Sequence, residues 1–321
     1  MLNYEEFAVE LATKLQEYLR NNKNTAISCE VIRDLGINDT TELCVKIIDD
    51  GGTAALAINV KKCFALYEKN KNLLAIARGI GKFYCTGATT SQAKQLGDIP
   101  INDFPAMKQH ITPRLVDLER NTEYLKTVPH KVQEDLATIY QLTIPATEND
   151  YTCMIITNDL IVEWQLTDIE DLHSIALHNM KQYHPPVLRS LTGIILEHVA
   201  KIEPANYLID KDSFSEIQNY DDDLYSLTNE CWFDGAAYIL YPEVLSVIAT
   251  LFPKGFYILL PATDSATIVP KTANISHDTL IETVTGANVI PVAETLTEKI
   301  YEYDEATKGF RQVQLETITT N

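Results

Sequence analysis

Closely spaced cysteines are missing from this chain. Its six cysteines, Cys29, Cys44, Cys63, Cys85, Cys153 and Cys231, stand 15 or more residues apart, so the paired spacing of zinc ribbons and thioredoxin-like redox sites does not occur. Free thiols packed as small apolar side chains are ordinary in a reducing cytosol. Glycines are also missing where a phosphate cradle would need them. The nearest match, Arg78-Gly79-Ile80-Gly81, lacks a third glycine, follows a helical pattern rather than a strand, and reads as a helix C-terminus. Neither GxxxxGKS/T nor GxSxG is found, which removes the anchors of nucleotide triphosphatases and α/β-hydrolases. No HExxH and no EF-hand loop occur. His173 and His178 are five residues apart, which on a helix points them about 140° from each other. Asp221-Asp222-Asp223 lacks the alternation and the glycine of a calcium loop and reads as a solvated acidic turn. Neither a metal nor a cofactor is expected.

Positive charge is scarce. Lys and Arg total 26 against 45 Asp and Glu, a formal net charge of -19. A nucleic-acid binder presents a basic face that releases phosphate counterions, whereas the densest basic group here is Lys69, Lys71 and Arg78 on a helical pattern. Anionic lipid surfaces repel such a chain. Its acidity serves either solubility or an acidic docking face. Long apolar runs are missing too: Gly235 to Phe252 is interrupted by Pro242 and Glu243 and falls short of a ~20-residue span. The first residues, MLNYEEFAVEL, are acidic where a secretory signal is basic and then apolar. A cytoplasmic protein with neither nucleic-acid nor membrane partners is expected, and a protein partner remains open.

What is present is an ordinary globular composition, 45% apolar and 22% charged over 321 residues, long enough for two domains at roughly 150 residues each. Phe7, Leu11, Leu15 and Leu19 recur at i, i+4 and predict a helix over 4–20, capped by Asn3. Strands are expected at 25–33, 42–48 and 54–60, the last two joined through Asp49-Asp50-Gly51-Gly52. Helices near 61–69 and 72–84 complete a first unit. Thr, Ser and Gly dominate 86–97, with Pro100 and Pro105 beyond, so the domain boundary is placed at 97/98. In the second unit, 98–321, strands are expected near 112–119 and 151–157. A helix opens on the capping box Thr167-x-x-Glu170 and stops at His184-Pro185-Pro186. Another is expected around 187–200, then an acidic exposed stretch at 210–223. Strands at 224–228, 255–260 and 266–269, helices at 241–252 and 277–285, and a hairpin, Ile300 to Tyr303 against Phe310 to Leu315, follow. The fold class is α+β, mixed helices with antiparallel-rich sheets in two lobes. A faint echo between Ile155-Ile156-Thr157-Asn158 and Ser226-Leu227-Thr228-Asn229 raises an internal duplication of 151–200 and 224–270, with coincidence as its alternative.

One constellation could carry chemistry. In Val128-Pro129-His130-Lys131-Val132-Gln133-Glu134-Asp135-Leu136, Pro129 suits the first turn of a helix. His130 and Glu134 would then share one face at i, i+4, the placement in which a carboxylate orients an imidazole. The alternative is that His130 caps or packs a helix start while Glu134 stays on the surface. Asn158 and Asn229 are candidate binding residues through their amides, or turn-closing residues. Trp164 and Trp232 are candidates to line a pocket, or core residues.

Several segments together resemble a known family. They are Asn3-Tyr4-Glu5-Glu6-Phe7, Thr127-Val128-Pro129-His130 with Glu134-Asp135-Leu136-Ala137, and Ile156-Thr157-Asn158 with Leu166-Thr167. Gly235-Ala236-Ala237-Tyr238-Ile239-Leu240-Tyr241-Pro242, Phe256-Tyr257-Ile258-Leu259 with Val269-Pro270, and Tyr301-Glu302-Tyr303-Asp304 complete the set. The chain is similar over nearly its whole length to an uncharacterised bacterial domain-of-unknown-function family of clostridial, gut-anaerobe type. The resemblance implies an α+β protein with no established activity, cofactor or partner. Where the family pattern runs Pro-Ser-Ser-x-His-Glu, this chain has Pro261-Ala262-Thr263-Asp264-Ser265-Ala266. Any chemistry resting on that His-Glu pair is therefore lost here. The sequence expectation is a non-catalytic binding or regulatory protein acting through protein contacts. Its rivals are a hydrolase or transferase using His130 and Glu134, and a small-ligand sensor built around Trp164 or Trp232.

Overall fold

The computed structural model describes residues 2–23, 26–48, 54–85, 101–147, 150–191, 194, 207–208, 224–273, 275–287 and 296–313. The chain divides into two compact units, Met1–Pro100 and Ile101–Asn321.

The first unit opens with α1 (Tyr4–Lys23). Its start is fixed by a reciprocal cap: Glu6 N donates to Asn3 Oδ1 at 2.9 Å, and Asn3 N donates to Glu6 Oε2 at 2.9 Å. The buried stripe Phe7, Leu11, Leu15 and Leu19 then covers an antiparallel sheet of β1 (Ser28–Leu35), β2 (Thr41–Ile48) and β3 (Ala54–Asn59). The turn expected at Asp49 to Gly52 lies outside the described residues. Asn59 ends β3 and caps α2 (Val60–Asn70) by accepting from Lys61 N. Helix α3 (Leu73–Cys85) follows. Arg78 to Gly81 fall inside α3 rather than at a helix end. Gly81 is there for close packing: a Cβ on it would stand 2.2 Å from Tyr18 Cδ1 of α1.

The second unit has two antiparallel sheets. The smaller holds β4 (Ile111–Asp117), β5 (His130–Gln133), β6 (Leu136–Thr147) and β7 (Asp150–Ile155), with β4 on one side of β6 and β5 and β7 both pairing with β6. The larger runs in the order β14-β13-β11-β12-β10-β8-β9. Its members are β8 (Val187–Ser190), β9 (Tyr207–Leu208), β10 (Tyr225–Thr228), β11 (Phe256–Leu259), β12 (Ala266–Pro270), β13 (Ile300–Asp304) and β14 (Gly309–Gln312). One apolar core joins the sheets, with Leu115 and Leu136 from the smaller meeting Leu188, Tyr225, Leu227, Ile258 and Tyr301 from the larger. The fold is α+β.

Two sequence expectations are corrected here. The segment after Pro186 begins as strand β8, because it pairs in register with β10, a long-range contact that outweighs helical spacing; most of 191–200 lies outside the described residues. The helix Ile169–Tyr183 is capped by Asp168, whose side chain accepts from Glu170 N at 2.8 Å, so Thr167 is not its cap. The apolar run Gly235 to Phe252 breaks into a 3-10 turn, Gly235–Leu240, and a helix, Pro242–Leu251. No helix among the described residues is long and apolar enough to cross a membrane. The stretches 86–100 and 209–223 lie outside the described residues.

Candidate functional site

His130 and Glu134 are not on a helix. His130 opens β5, and Glu134 with Asp135 forms the two-residue turn into β6, with Gln133 opposite Leu136. Glu134 adopts a left-handed backbone, φ 55°, as such tight hairpin turns require. The imidazole Nδ1 of His130 donates to Val128 O at 3.1 Å, since a carbonyl can only accept. Glu134 Oε2 instead accepts from Gln312 N at 3.4 Å. The acid–base pair predicted from the spacing is therefore not formed.

His130 does line a cleft of about 420 Å³, with Leu118, Glu119, Leu125, Asp135 and Lys299. Its charge is internally balanced. Lys299 Nζ lies 2.6 Å from Asp135 Oδ2, 3.7 Å from Asp117 Oδ2 and 3.8 Å from Glu119 Oε2. Burial works against the ammonium, but the approach of Asp135 and the charges of Asp117 and Glu119 outweigh it and raise its pKa. A lysine held protonated in this way is no nucleophile. Tyr301 Oη donates to Asp135 Oδ1 at 2.8 Å, and burial followed by this bond pushes the phenol far up. These contacts tie the β5–β6 turn to β13 and β14.

Asn158 and Trp164 serve the fold. Asn158 Nδ2 donates to Lys126 O at 2.9 Å, bracing the turn before β5, and the helix it begins is capped by Thr157. Trp164 is buried, its ring 5.4 Å from that of Phe104 and its Nε1 donating to Ile101 O at 2.8 Å.

Asn229 and Trp232 belong to something more elaborate, the loop from β10 to the 3-10 turn. Asn229 Oδ1 accepts from Cys231 N and Phe233 N, each at 3.1 Å, while its Nδ2 donates to Phe233 O at 2.6 Å. One buried side chain thus organises the whole loop. Trp232 and Asp234 both have left-handed backbones, φ 53° and 44°, and Gly235 is cramped: a Cβ there would stand 2.5 Å from Asp264 O and 2.7 Å from Thr228 Cα. Backbone strain at Trp232 and Asp234, two residues apart, marks a place where the fold over-determines a local shape. Below the loop, Asp234, 5% exposed, accepts from Gln141 Nε2 at 2.5 Å and lies 3.8 Å from Arg114 Nε.

Beside this loop is a second cavity, about 310 Å³, lined by Gln109, His110, Thr112, Thr143, Tyr151, Tyr183 and His184. Thr112 and Thr143 share a hydrogen bond at 2.6 Å. The His184 ring sits edge-on to Tyr151 at 5.1 Å and tilted against Phe233 at 5.4 Å, and Tyr151 meets Phe233 at 5.6 Å. Burial lowers the His184 pKa and so keeps the imidazole neutral. Burial, and then the Cys231 thiol 3.9 Å from its hydroxyl, raise that of Tyr151. Tyr238 Oη donates to His184 O. No carboxylate, ammonium or guanidinium is among the described residues lining this cavity.

Sequence reasoning reached Asn229 and Trp232 but missed Thr112, Thr143, Tyr151, His184 and Asp234. They come from β4, β6, β7, a helix end and a loop, so no local spacing connects them. The Asp234-Gly235 dipeptide was the one available turn signal.

The chain belongs to a family of unknown function (DUF5688), whose model matches residues 4–305. No curated protein and no solved structure matches it.

Proposed function

We propose that this member of the family of unknown function is a non-catalytic binding protein, and that the 310 Å³ cavity beside the Asn229–Gly235 loop holds a small uncharged polar molecule with a flat ring. The observation that carries this reading is the lining itself. In a chain of net charge -19, a cavity walled by amide, hydroxyl, phenol and imidazole groups offers a charged ligand no counter-charge, and desolvating one there is unfavourable. A neutral ligand can stack on the aromatic edge and take hydrogen bonds from the threonines. The size falls at the lower end of small-molecule pockets, roughly 300 to 1,000 Å³.

Two features favour binding over turnover. The His184 imidazole is committed to packing against the rings of Tyr151 and Phe233. In the other cleft, Lys299 is neutralised by three carboxylates, and His130 and Glu134 are committed to separate partners. The acidic stretch 210–223, the part of the chain best suited to protein contacts by its charge, lies outside the described residues. A reducing, cytoplasmic setting is supported by the six cysteines, all of them free thiols.

Thermal-shift screening of nucleobases and other neutral heteroaromatic compounds against their phosphorylated and carboxylated counterparts tests the reading. Stabilisation by neutral compounds is expected, and it should disappear in Gln109→Trp, which fills the cavity from an exposed lining position. No stabilisation by any neutral compound, or a neutral-compound stabilisation that survives this substitution, would contradict the reading.

A further inference from the structure

Arg189 on β8 and Ser226 on β10 are directly opposite each other, so their side chains leave the same face of the large sheet. Each carries a polar atom sealed from solvent that makes no hydrogen bond, Nε of Arg189 and Oγ of Ser226. Ser226 is 2% exposed, in a central strand, where such orphaned groups are few and call for an explanation. Arg189 adds a second anomaly. Acids outnumber bases 45 to 26 in this chain, yet the group that meets its guanidinium among the described residues is an aromatic ring, that of Trp232, 5.9 Å from Cζ.

An aromatic ring engages a guanidinium through its face. The edge that includes the unbonded Nε is the one that grips a carboxylate or phosphate through two parallel N–H donors. Trp232 is held in place by its left-handed backbone and by the bonds from Cys231 N and Phe233 N to Asn229 on either side of it. Trp232 is 37% exposed, so this corner of the site faces solvent.

We propose that Arg189, Ser226 and Trp232 form a binding site for the oxyanion of a carboxylate or phosphate group. Nε and a terminal nitrogen of Arg189 donate to two of its oxygens, the Ser226 hydroxyl donates to one of them, and the Trp232 ring covers the face of the guanidinium. This goes beyond the neutral cavity, shares none of its lining residues and stands without it. The sequence marked Trp232 as a pocket residue; the partner it meets is a cation.

The test is a titration of the full chain with inorganic phosphate and, separately, acetate, following the Nε–H resonance of Arg189 and tryptophan emission. A saturable shift of that resonance is expected, together with an emission change that Trp232→Phe removes. Arg189→Lys, which keeps the charge but loses the fork, should weaken binding about tenfold or more, and Ser226→Ala should weaken it several-fold. Tighter phosphate binding assigns the site to phosphate groups and tighter acetate binding to carboxylates. Absence of a saturable shift, a shift unchanged in Ser226→Ala, or an Nε–H whose only contact is a buried water would overturn the proposal. Should Arg189→Lys fail to fold, the wild-type and Ser226→Ala titrations still decide it.

Discussion

Gln141 and Asp234, 93 residues apart, meet inside the second unit through a hydrogen bond of 2.5 Å from Nε2 to Oδ2. The bond fastens the strained loop after β10 to β6 of the smaller sheet. Gln141→Leu removes the donor and leaves a buried carboxylate with one partner fewer, which costs about 1–3 kcal/mol for an unsatisfied buried group. Urea unfolding should show a lower midpoint with an unchanged slope.

The two glycines of α3 should answer the same substitution with opposite signs. A Cβ added to Gly79 would meet nothing within 4 Å, so Gly79→Ala should stabilise the first unit by about 0.5–1 kcal/mol, the ordinary gain inside a helix. At Gly81 the new methyl would strike the Tyr18 ring, and overpacking of this kind costs about 1–3 kcal/mol. Thermal unfolding of the two variants side by side checks both signs.

His130 and Glu134 should behave as strangers. His130→Ala forfeits one hydrogen bond, worth about 0.5–1.5 kcal/mol, and Glu134→Gln weakens a long contact to Gln312. A double-mutant cycle should be additive to within about 0.5 kcal/mol. A larger coupling would restore the acid–base pair.

Stability should fall as the solution is acidified through the histidine range. Burial lowers the pKa of His173, helped by the Lys131 charge and opposed by Glu170, and burial alone lowers that of His184, both from an ordinary 6.5. The unfolded chain then binds protons first, so stability is complete above about 6.5 and is lost as pH drops through the folded-state values. Asp264, pushed up by burial, has the opposite sign. The histidine part is therefore isolated by comparing urea midpoints at about pH 8 and about pH 5.5 in the wild type and in His184→Gln, which should flatten the dependence.

Local signals read well from the sequence and distant ones did not. The Asn3–Glu6 cap, the α1 stripe, the helices after β3 and the C-terminal hairpin all announce themselves within a few residues. The segment from Pro129 misleads because a proline and an i, i+4 His–Glu pair mimic a helix start. What decides it is pairing with β6, whose run Leu136-Ala137-Thr138-Ile139-Tyr140 was the available strand signal. The Glu134-Asp135 turn hides itself by using neither asparagine nor glycine. The same holds for Val187 to Ser190, settled by β10. The cavity was invisible because Thr112, Thr143, Tyr151 and His184 are gathered by sheet register and a helix end, not by spacing.

The central claim, a ligand in the neutral cavity, is tested most directly by native mass spectrometry of the gently purified chain beside its Gln109→Trp variant. The account predicts one small, uncharged adduct on the wild-type chain and none on the variant. A bare chain in both, or an uncharged adduct that the variant retains, would contradict it.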